Sequence, residues 1–147
     1  MRDGIVSKQI KRVLSPAASP ADNTAQVGQI IDHQGYDAVS YVILTGALPD
    51  ADATFTVLLE EGDASNRSDA AAVADADMVS QTNNTAPETA ASFTFAADDQ
   101  VRKLGYIGSK RYSRLTITPA ANASASLLAA CAILEKAAHE PITQATA

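Results

Sequence analysis

Hydrophobic and polar residues alternate most regularly in the second half of the segment that spans residues 36–63. There, Ala53, Phe55, Val57 and Leu59 alternate with residues that are mostly polar. Successive side chains of a strand point to opposite faces, so this spacing places the apolar residues on one side. The pattern predicts a strand with one buried and one exposed face.

The preceding run, Val39 to Thr45, is apolar at nearly every position, with Ser40 as the polar exception. A run that is apolar on both sides is typical of a strand that is covered on both faces. Between the two runs, residues 46–52 contain Gly, Pro and Asp, which favour chain reversal. We therefore expect the two runs to pair as an antiparallel hairpin.

Shorter runs of the same kind follow, separated by turn residues and without a sustained helical period. Residues 101–107 and 111–118 flank a turn and predict a second hairpin. Further strands are expected at residues 25–32, 91–96 and 127–134. About eight strands at this spacing predict an all-β fold, a two-sheet β-sandwich or jelly roll.

The two ends of the chain differ in composition from its middle. The N-terminal segment contains Pro16 and Pro20, each after a serine, and each proline forbids a continuing helix and favours extended geometry. A strand is expected in the second half of the run 5–14. We interpret the chain as an extended N-terminal arm, a β-sandwich domain and a short C-terminal tail, over residues 1–25, 26–136 and 137–147.

Length and charge narrow the classes of protein. The chain has 147 residues, a length suited to one domain. Its formal net charge of −6 gives it no general attraction to nucleic acid. No apolar run approaches the about 18 residues that a spanning helix needs, and no apolar stretch typical of a signal peptide follows the N-terminus. We expect a protein that is made in the cytoplasm and has no membrane partner.

Residues that would carry catalysis or hold a cofactor form no recognisable motif. Cys131 is the single cysteine and lies in an apolar run, so a buried core position is expected. His33 and His139 are far apart in the sequence and are interpreted as surface residues. We predict that the protein is not an enzyme and holds no cofactor.

Two pairs of carboxylates deserve a separate hypothesis. Asp50 with Asp52, and Asp75 with Asp77, are spaced so that each pair would share one face of a strand and offer oxygen ligands to calcium. Neither pair continues into the glycine and the distal glutamate of a calcium-binding loop. We therefore predict no metal site and interpret both pairs as acidic turns.

Charged residues are segregated along the sequence. Eight acidic residues and one basic residue lie between positions 50 and 77, whereas five basic residues and no acidic residue lie between 102 and 114. Two interpretations stay open: complementary patches that steer assembly, or two faces that neutralise each other within one fold. Nucleic acid stacked on Tyr106 and Tyr112 is a third, which the acidic net charge disfavours. With the basic residues of the arm, the candidate partner-contact residues are Lys8, Lys11, Arg12, Arg102, Lys103, Lys110, Arg111 and Arg114.

A family resemblance rests on two stretches, GYDAVSYVILTGALPDADATFTVLLEEGDASNRSDAAAVADADMV and VRKLGYIGSKRYSRLTITPA. These stretches resemble the sequences of small structural proteins of tailed bacteriophages, which are often encoded beside the major capsid protein. The resemblance covers Ile30 to Ala120. It implies a head decoration, or cement, protein: a β-sandwich or jelly-roll module that is present in many copies and clamps neighbouring capsid subunits. Such a family offers no catalytic residues.

The resemblance sets the functional expectations. The expected partners are the major capsid protein and other copies of the chain, as a dimer or trimer, and the expected location is the exterior of the capsid after synthesis in the host cytoplasm. We expect residues 1–25 to lie across the capsid surface or an adjacent copy, because an arm adds contacts to a rigid core. A lectin-like, carbohydrate-binding jelly roll on the virion and a head-to-tail or tail component are the alternatives.

Overall fold

A computed structural model of the chain describes residue 4, residues 6–80, residue 82 and residues 85–144. Two antiparallel sheets pack into a β-sandwich, which confirms the predicted all-β fold. One turn of 3₁₀ helix (Asp75–Asp77) and one short helix, α1 (Pro87–Ala91), interrupt the strands.

The first sheet has five strands, which are β1 (Gln9–Ala18), β4 (Tyr36–Thr45), β7 (Met78–Ser80), β9 (Val101–Tyr106) and β11 (Leu127–Ala137). Their order across the sheet is β1-β11-β4-β9-β7. The second sheet has six strands and is built on β5 (Thr54–Gly62) and β10 (Tyr112–Ala120), which pair along their whole length. Four two-residue strands extend it: β2 (Gln26–Val27) and β3 (Ile31–Asp32) on β10, and β6 (Ala71–Ala72) and β8 (Phe93–Thr94) on β5.

Side chains that point between the two sheets form the core. In β4, Val39, Tyr41 and Ile43 are buried, whereas the residues between them are exposed or half-buried. β5 follows the same alternation, as a strand with one face against the core must. The largest buried side chains are Tyr41, Phe55, Ile31, Ile43, Leu59, Leu104, Leu115, Ile117, Leu134, Val13 and Val57.

The two predicted hairpins do not form. β4 pairs with β11 and β9, whereas β5 pairs with β10 in the other sheet, and β9 and β10 are likewise in different sheets. The turn residues reverse the chain as predicted, but they carry it across the sandwich, so the two strands face each other through the core. Leu48 in the first connection is buried, and its N–H donates to the Asp98 carboxylate at 2.8 Å, which fixes this crossing.

The N-terminal segment also differs from the expected extended arm, because residues 9–18 form β1 and pair with β11. Val13 is buried in the core. The register of this pairing shifts between Leu14 and Ala17, so Pro16, which has no N–H to donate, lies in an irregular part of an edge strand. The predicted strand in this segment is therefore present, and it is part of the sandwich.

The described part of the predicted C-terminal tail contacts the N-terminal segment. The side-chain amide of Gln144 donates to the carbonyl of Ile10 at 2.7 Å and accepts from its N–H at 3.0 Å. The N–H of Ile142 donates to the carbonyl of Val6 at 2.8 Å. Residues 1–3 and 5 of the predicted arm and residues 145–147 of the tail lie outside the described residues.

Gly28 joins the two sheets at one side of the sandwich. Its N–H donates to the carbonyl of Leu115 in β10 at 2.9 Å, and the next N–H, that of Gln29, donates to the carbonyl of Val13 in β1 at 3.0 Å. A Cβ atom at Gly28 would lie 2.5 Å from the Leu115 oxygen and 2.7 Å from a methyl group of Val13. Only glycine fits where the chain passes this close to both sheets.

We predict that Gly28→Val lowers the free energy of unfolding by about 1–3 kcal/mol, because the added side chain forces the sheets apart at this point. Urea unfolding followed by circular dichroism measures the change. Gly4→Ala is the control, since nothing lies within 4 Å of a Cβ atom at Gly4. Equal stability of Gly28→Val and the unmodified chain would contradict the role of Gly28.

Candidate interaction surface

The basic residues of β10 and of the turn before it pair with acids from the other half of the sequence. Their ion pairs are Lys110 with Asp63 at 2.7 Å, Arg111 with Asp32 at 2.9 Å, and Arg114 with Glu60 at 2.8 Å. The hydrogen bond from Arg111 lowers the pKa of Asp32, and the hydrogen bond from Lys110 lowers the pKa of Asp63. For these three basic residues, the geometry favours neutralisation within one fold over complementary patches.

Three other candidate residues also make contacts within the chain. Lys8 pairs with Glu135, and the ammonium group of Lys11 donates to the carbonyl of Asp32 at 3.2 Å. Arg102 lies over the ring of Phe93, 5.6 Å from its centroid, and donates to backbone carbonyls of the segment around it. The guanidinium of Arg102 is thereby held against the core residue Phe93.

Arg12 and Lys103 are the two remaining candidate residues, and neither forms an ion pair with any described residue. Both lie on the outer face of the five-stranded sheet and are exposed. The register places Arg12 opposite Cys131, Cys131 opposite Val42, and Val42 opposite Lys103. Directly opposed residues share a face, so these four side chains form one row across four strands.

The other rows of this outer face are mostly apolar. One row runs across all five strands, and a second crosses three. In order across the sheet, the first contains Ile10, Ile133, Ser40, Gly105 and Val79, and the second contains Ala129, Leu44 and Val101. Val101 is 57% exposed, Ile10 51% and Leu44 43%. No described segment covers these side chains, so the sheet offers an open apolar surface, which we call the outer face.

The exterior of the six-stranded sheet is mostly polar, although Val27 and Leu58 are exposed on it. Its opposed pairs on the solvent side are Arg114 with Glu60, Thr116 with Leu58, Thr118 with Thr56, and Ala120 with Thr54. Antiparallel sheets commonly have one face on the core and one polar face in water. The five-stranded sheet departs from this rule, and exposed apolar patches of this kind mark interaction sites.

Two hollows of about 270 Å³ each shape the ends of the outer face. The first is lined by Leu44, Leu127 and Ala129 together with Pro16 and Ala17 of β1. The second is lined on the opposite end by Ala38, Ser40, Val79, Gly105 and Ile107, among others. Small residues in the sheet create both depressions, and each is large enough to receive a side chain of a partner.

Cys131 lies on the outer face, and the prediction that it is a core residue is wrong. The buried positions of β11 are Leu128, Ala130, Ala132 and Leu134, so the odd-numbered residues between them point outward. Cys131 is half-buried by its neighbours in the sheet. This burial raises the pKa of its thiol, which makes it a weak nucleophile.

His33 is buried, although the sequence was interpreted as placing it on the surface. Its Nε2 shares a hydrogen bond with the hydroxyl of Ser113, and that hydroxyl shares another with the hydroxyl of Tyr41. Tyr41 comes from the five-stranded sheet and Ser113 from the six-stranded sheet. A polar network therefore links the sheets through the core, and the spacing of these residues along the chain gives no sign of it.

A cleft of about 220 Å³ lies beside this network, at the same end of the sandwich, and His33 is part of its lining. Its lining includes Tyr36, Asp37, Tyr106 and Lys110. The hydroxyl of Tyr106 donates to the carboxylate of Glu61 and accepts from the N–H of Lys110 at 2.9 Å. Tyr106 is buried, and burial raises its pKa, so its ring is not an open platform for a stacked base.

The acidic pairs serve the turns. The carboxylate of Asp50 accepts from the N–H of Asp52 at 3.2 Å and from the N–H of Ala123 at 2.6 Å. Asp75 and Asp77 lie in the 3₁₀ turn rather than on a strand. Among the described residues, no three His, Cys, Asp or Glu side chains are grouped so as to hold a metal ion.

In the same residues, no helix has the length and apolar character needed to cross a membrane.

Comparison with known proteins gives a likeness of fold. No family model matches the chain, and no curated protein matches it. The crystal structure of PBSX exported protein XepA is similar in fold, with a TM-score of 0.54 and 15% sequence identity. The match covers 93% of this chain and 40% of the XepA chain. The chain thus spans less than half of the length of that protein.

We predict that protonation of His33 destabilises the fold. Burial lowers the pKa of His33 to about 4 from an ordinary value of 6.5, so the folded state binds fewer protons than the unfolded state. The contribution of neutral His33 to the free energy of unfolding is fully present above about pH 6.5. It decreases as the pH falls from about 6.5 to about 4, by up to about 3 kcal/mol.

Urea unfolding at several pH values between 7.5 and 4.5 measures this effect, with His33→Gln as the comparison. The variant retains an amide that can bond to Ser113 but does not titrate, so its stability deficit should shrink as the pH falls. The pKa values of Asp32, Asp63 and Asp69 are lowered, so their contributions are lost at more acidic pH than this window. Parallel curves for the two proteins would contradict the prediction.

Proposed function

We propose that the protein is a non-catalytic structural component of a phage particle that attaches to the capsid through the outer face. In its specific form, the proposal is that it decorates the exterior of the major capsid protein shell and stabilises it by bridging neighbouring subunits. The observation that carries the proposal is the apolar exterior of the five-stranded sheet, which a freely soluble domain would be expected to make polar.

The edge of the same sheet gives further support for attachment by the face. An unpaired edge strand invites the addition of a partner strand. At β1, the backbone of Ile10 is occupied by the Gln144 amide, the carbonyl of Val13 accepts from Gln29, and Pro16 has no N–H. These features oppose strand addition along β1 and favour the outer face as the contact.

The fold comparison supports the broader part of the proposal, a phage-related role, because the similar protein XepA is phage-derived. The buried state of Ser113 and Tyr41 supports the absence of catalysis at the polar network. Both side chains are fully enclosed, and a substrate would have to enter the core to reach the serine hydroxyl.

Carbohydrate binding is the second candidate, and the cleft beside Tyr36 and Asp37 favours it. The exposed carboxylate of Asp37 and amide of Gln34, and the half-buried hydroxyl of Tyr36, are of the kind that bond to sugar hydroxyls. A glycan array tests this candidate. Retention of a glycan by the unmodified chain, lost in Tyr36→Ala, would replace attachment to the capsid as the better-supported function.

We predict that Leu44→Gln with Val101→Gln weakens binding to capsids about 100-fold. The two residues are directly opposed on the outer face, and their burial against a partner would contribute about 1 kcal/mol or more each, to which the cost of burying two amides adds. Co-sedimentation with purified capsids that lack this protein measures the affinity.

The matched control is Thr56→Gln with Thr118→Gln, two directly opposed, exposed residues on the six-stranded sheet. The control should bind capsids as the unmodified chain does. All four substitutions are at exposed positions, so urea unfolding should give changes within about 0.5 kcal/mol per site. Undiminished binding of the Leu44 and Val101 variant would refute attachment through the outer face.

A further inference from the structure

We infer that the outer face docks on a protein surface that is itself apolar and bordered by carboxylates, which Arg12 and Lys103 recognise. This inference rests on the proposed attachment to capsids and specifies the chemistry of the partner. It commits to a partner protein rather than to a second copy of this chain or to a lipid surface.

The charges on the outer face indicate which charge the surface of a partner should carry. At the outward positions of the paired strands the charged side chains are Arg12, Lys103 and Glu135, and Lys8 lies beside Glu135. Glu135 is paired with Lys8, so two positive charges remain on a chain whose net charge is −6. A surface that carries the opposite charge at matching positions would be attracted and set in register.

The two free charges are held at separate places on the face. Arg12 belongs to the edge strand β1. The side-chain amide of Gln29 contacts the guanidinium of Arg12 at 2.8 Å and the backbone carbonyl of Arg12 at 3.2 Å. Lys103 lies three strands away in the same row, a separation of about 14 Å at the usual strand spacing. Cys131 and Val42 lie between them, so the apolar centre is flanked by cations on both sides.

A second copy fits this surface poorly. Two identical outer faces placed against each other would bring basic residues together without free acids to oppose them, and like charges at an interface are costly. The open rows extend about 19 Å across the strands and about 20 Å along β4, which is about half of the area that each partner of a standard interface buries. The remainder must come from a rim, where the partner's carboxylates would lie.

A lipid surface also fits poorly. Anionic membranes attract clusters of several basic residues, whereas only Arg12 and Lys103 are unpaired on the outer face among the described residues.

The experiment compares two charge variants of equal net change in capsid co-sedimentation. Arg12→Gln with Lys103→Gln removes two positive charges from the outer face, and Thr56→Glu with Thr118→Glu adds two negative charges to the other sheet. We expect the first variant to bind about tenfold more weakly at low salt and to lose most of its salt dependence. The second should retain at least half of the affinity and the salt dependence of the unmodified chain.

The single cysteine reports whether the outer face is covered. Cys131 lies between Arg12 and Val42, so its reaction with a maleimide, followed by mass spectrometry, should be slower on capsids than in the free protein. Analytical ultracentrifugation should show whether the free chain dimerises, and we expect no dimer in which Cys131 is protected from the maleimide. Vesicles of phosphatidylserine and phosphatidylcholine should not retain the chain.

The outcomes separate the two proposals. If the unmodified chain does not bind capsids, the proposed function fails and the inference fails with it. If it binds and the Leu44 and Val101 variant does not, but the Arg12 and Lys103 variant binds with unchanged salt dependence, only the inference fails. A dimer with protected Cys131, or retention on vesicles, would overturn the inference in favour of a second copy or a lipid surface.

Discussion

The structure depends on strand β4, which is hydrogen-bonded on both sides and apolar on both faces. Its inner side chains, Val39, Tyr41 and Ile43, contribute to the core between the sheets. Its outer side chains, which include Val42 and Leu44, form the centre of the open face. One strand thereby supplies both the stability of the sandwich and the surface available to a partner, because the side chains of a strand alternate between its two faces.

The sandwich is closed around β4 by connections that cross between the sheets. The chain crosses after β4 and again after β9, so neighbouring elements in the sequence face each other through the core. The hydroxyl of Tyr41 in one sheet and that of Ser113 in the other meet inside it, and Gly28 joins the sheets at one side. These links hold the five-stranded sheet in place while its outer face stays open.

The sequence predicted the alternation, the strands and the all-β class, because side-chain periodicity is local information. It did not predict strand partners, since Gly, Pro and Asp specify a reversal but not whether the chain returns in the same sheet. His33 was missed because its partners Tyr41 and Ser113 are distant in the sequence. The strongest sequence signal for the candidate surface was the run from Val39 to Thr45. Its apolar character on both sides predicted that a packing partner covers each of the two faces of the strand. The described chain covers one of these faces.

The distribution of charge explains how such a surface is compatible with a separate, folded chain. The acids that are clustered in sequence are used mainly in turns and in ion pairs with Lys110 and Arg114, whereas Arg111 pairs with Asp32 outside this cluster. The two cations that remain on the outer face oppose pairing with an identical face, and the net charge of −6 opposes close approach of copies in general. On the inference made above, the charge on this face disfavours self-association of its apolar centre and favours a surface of opposite sign.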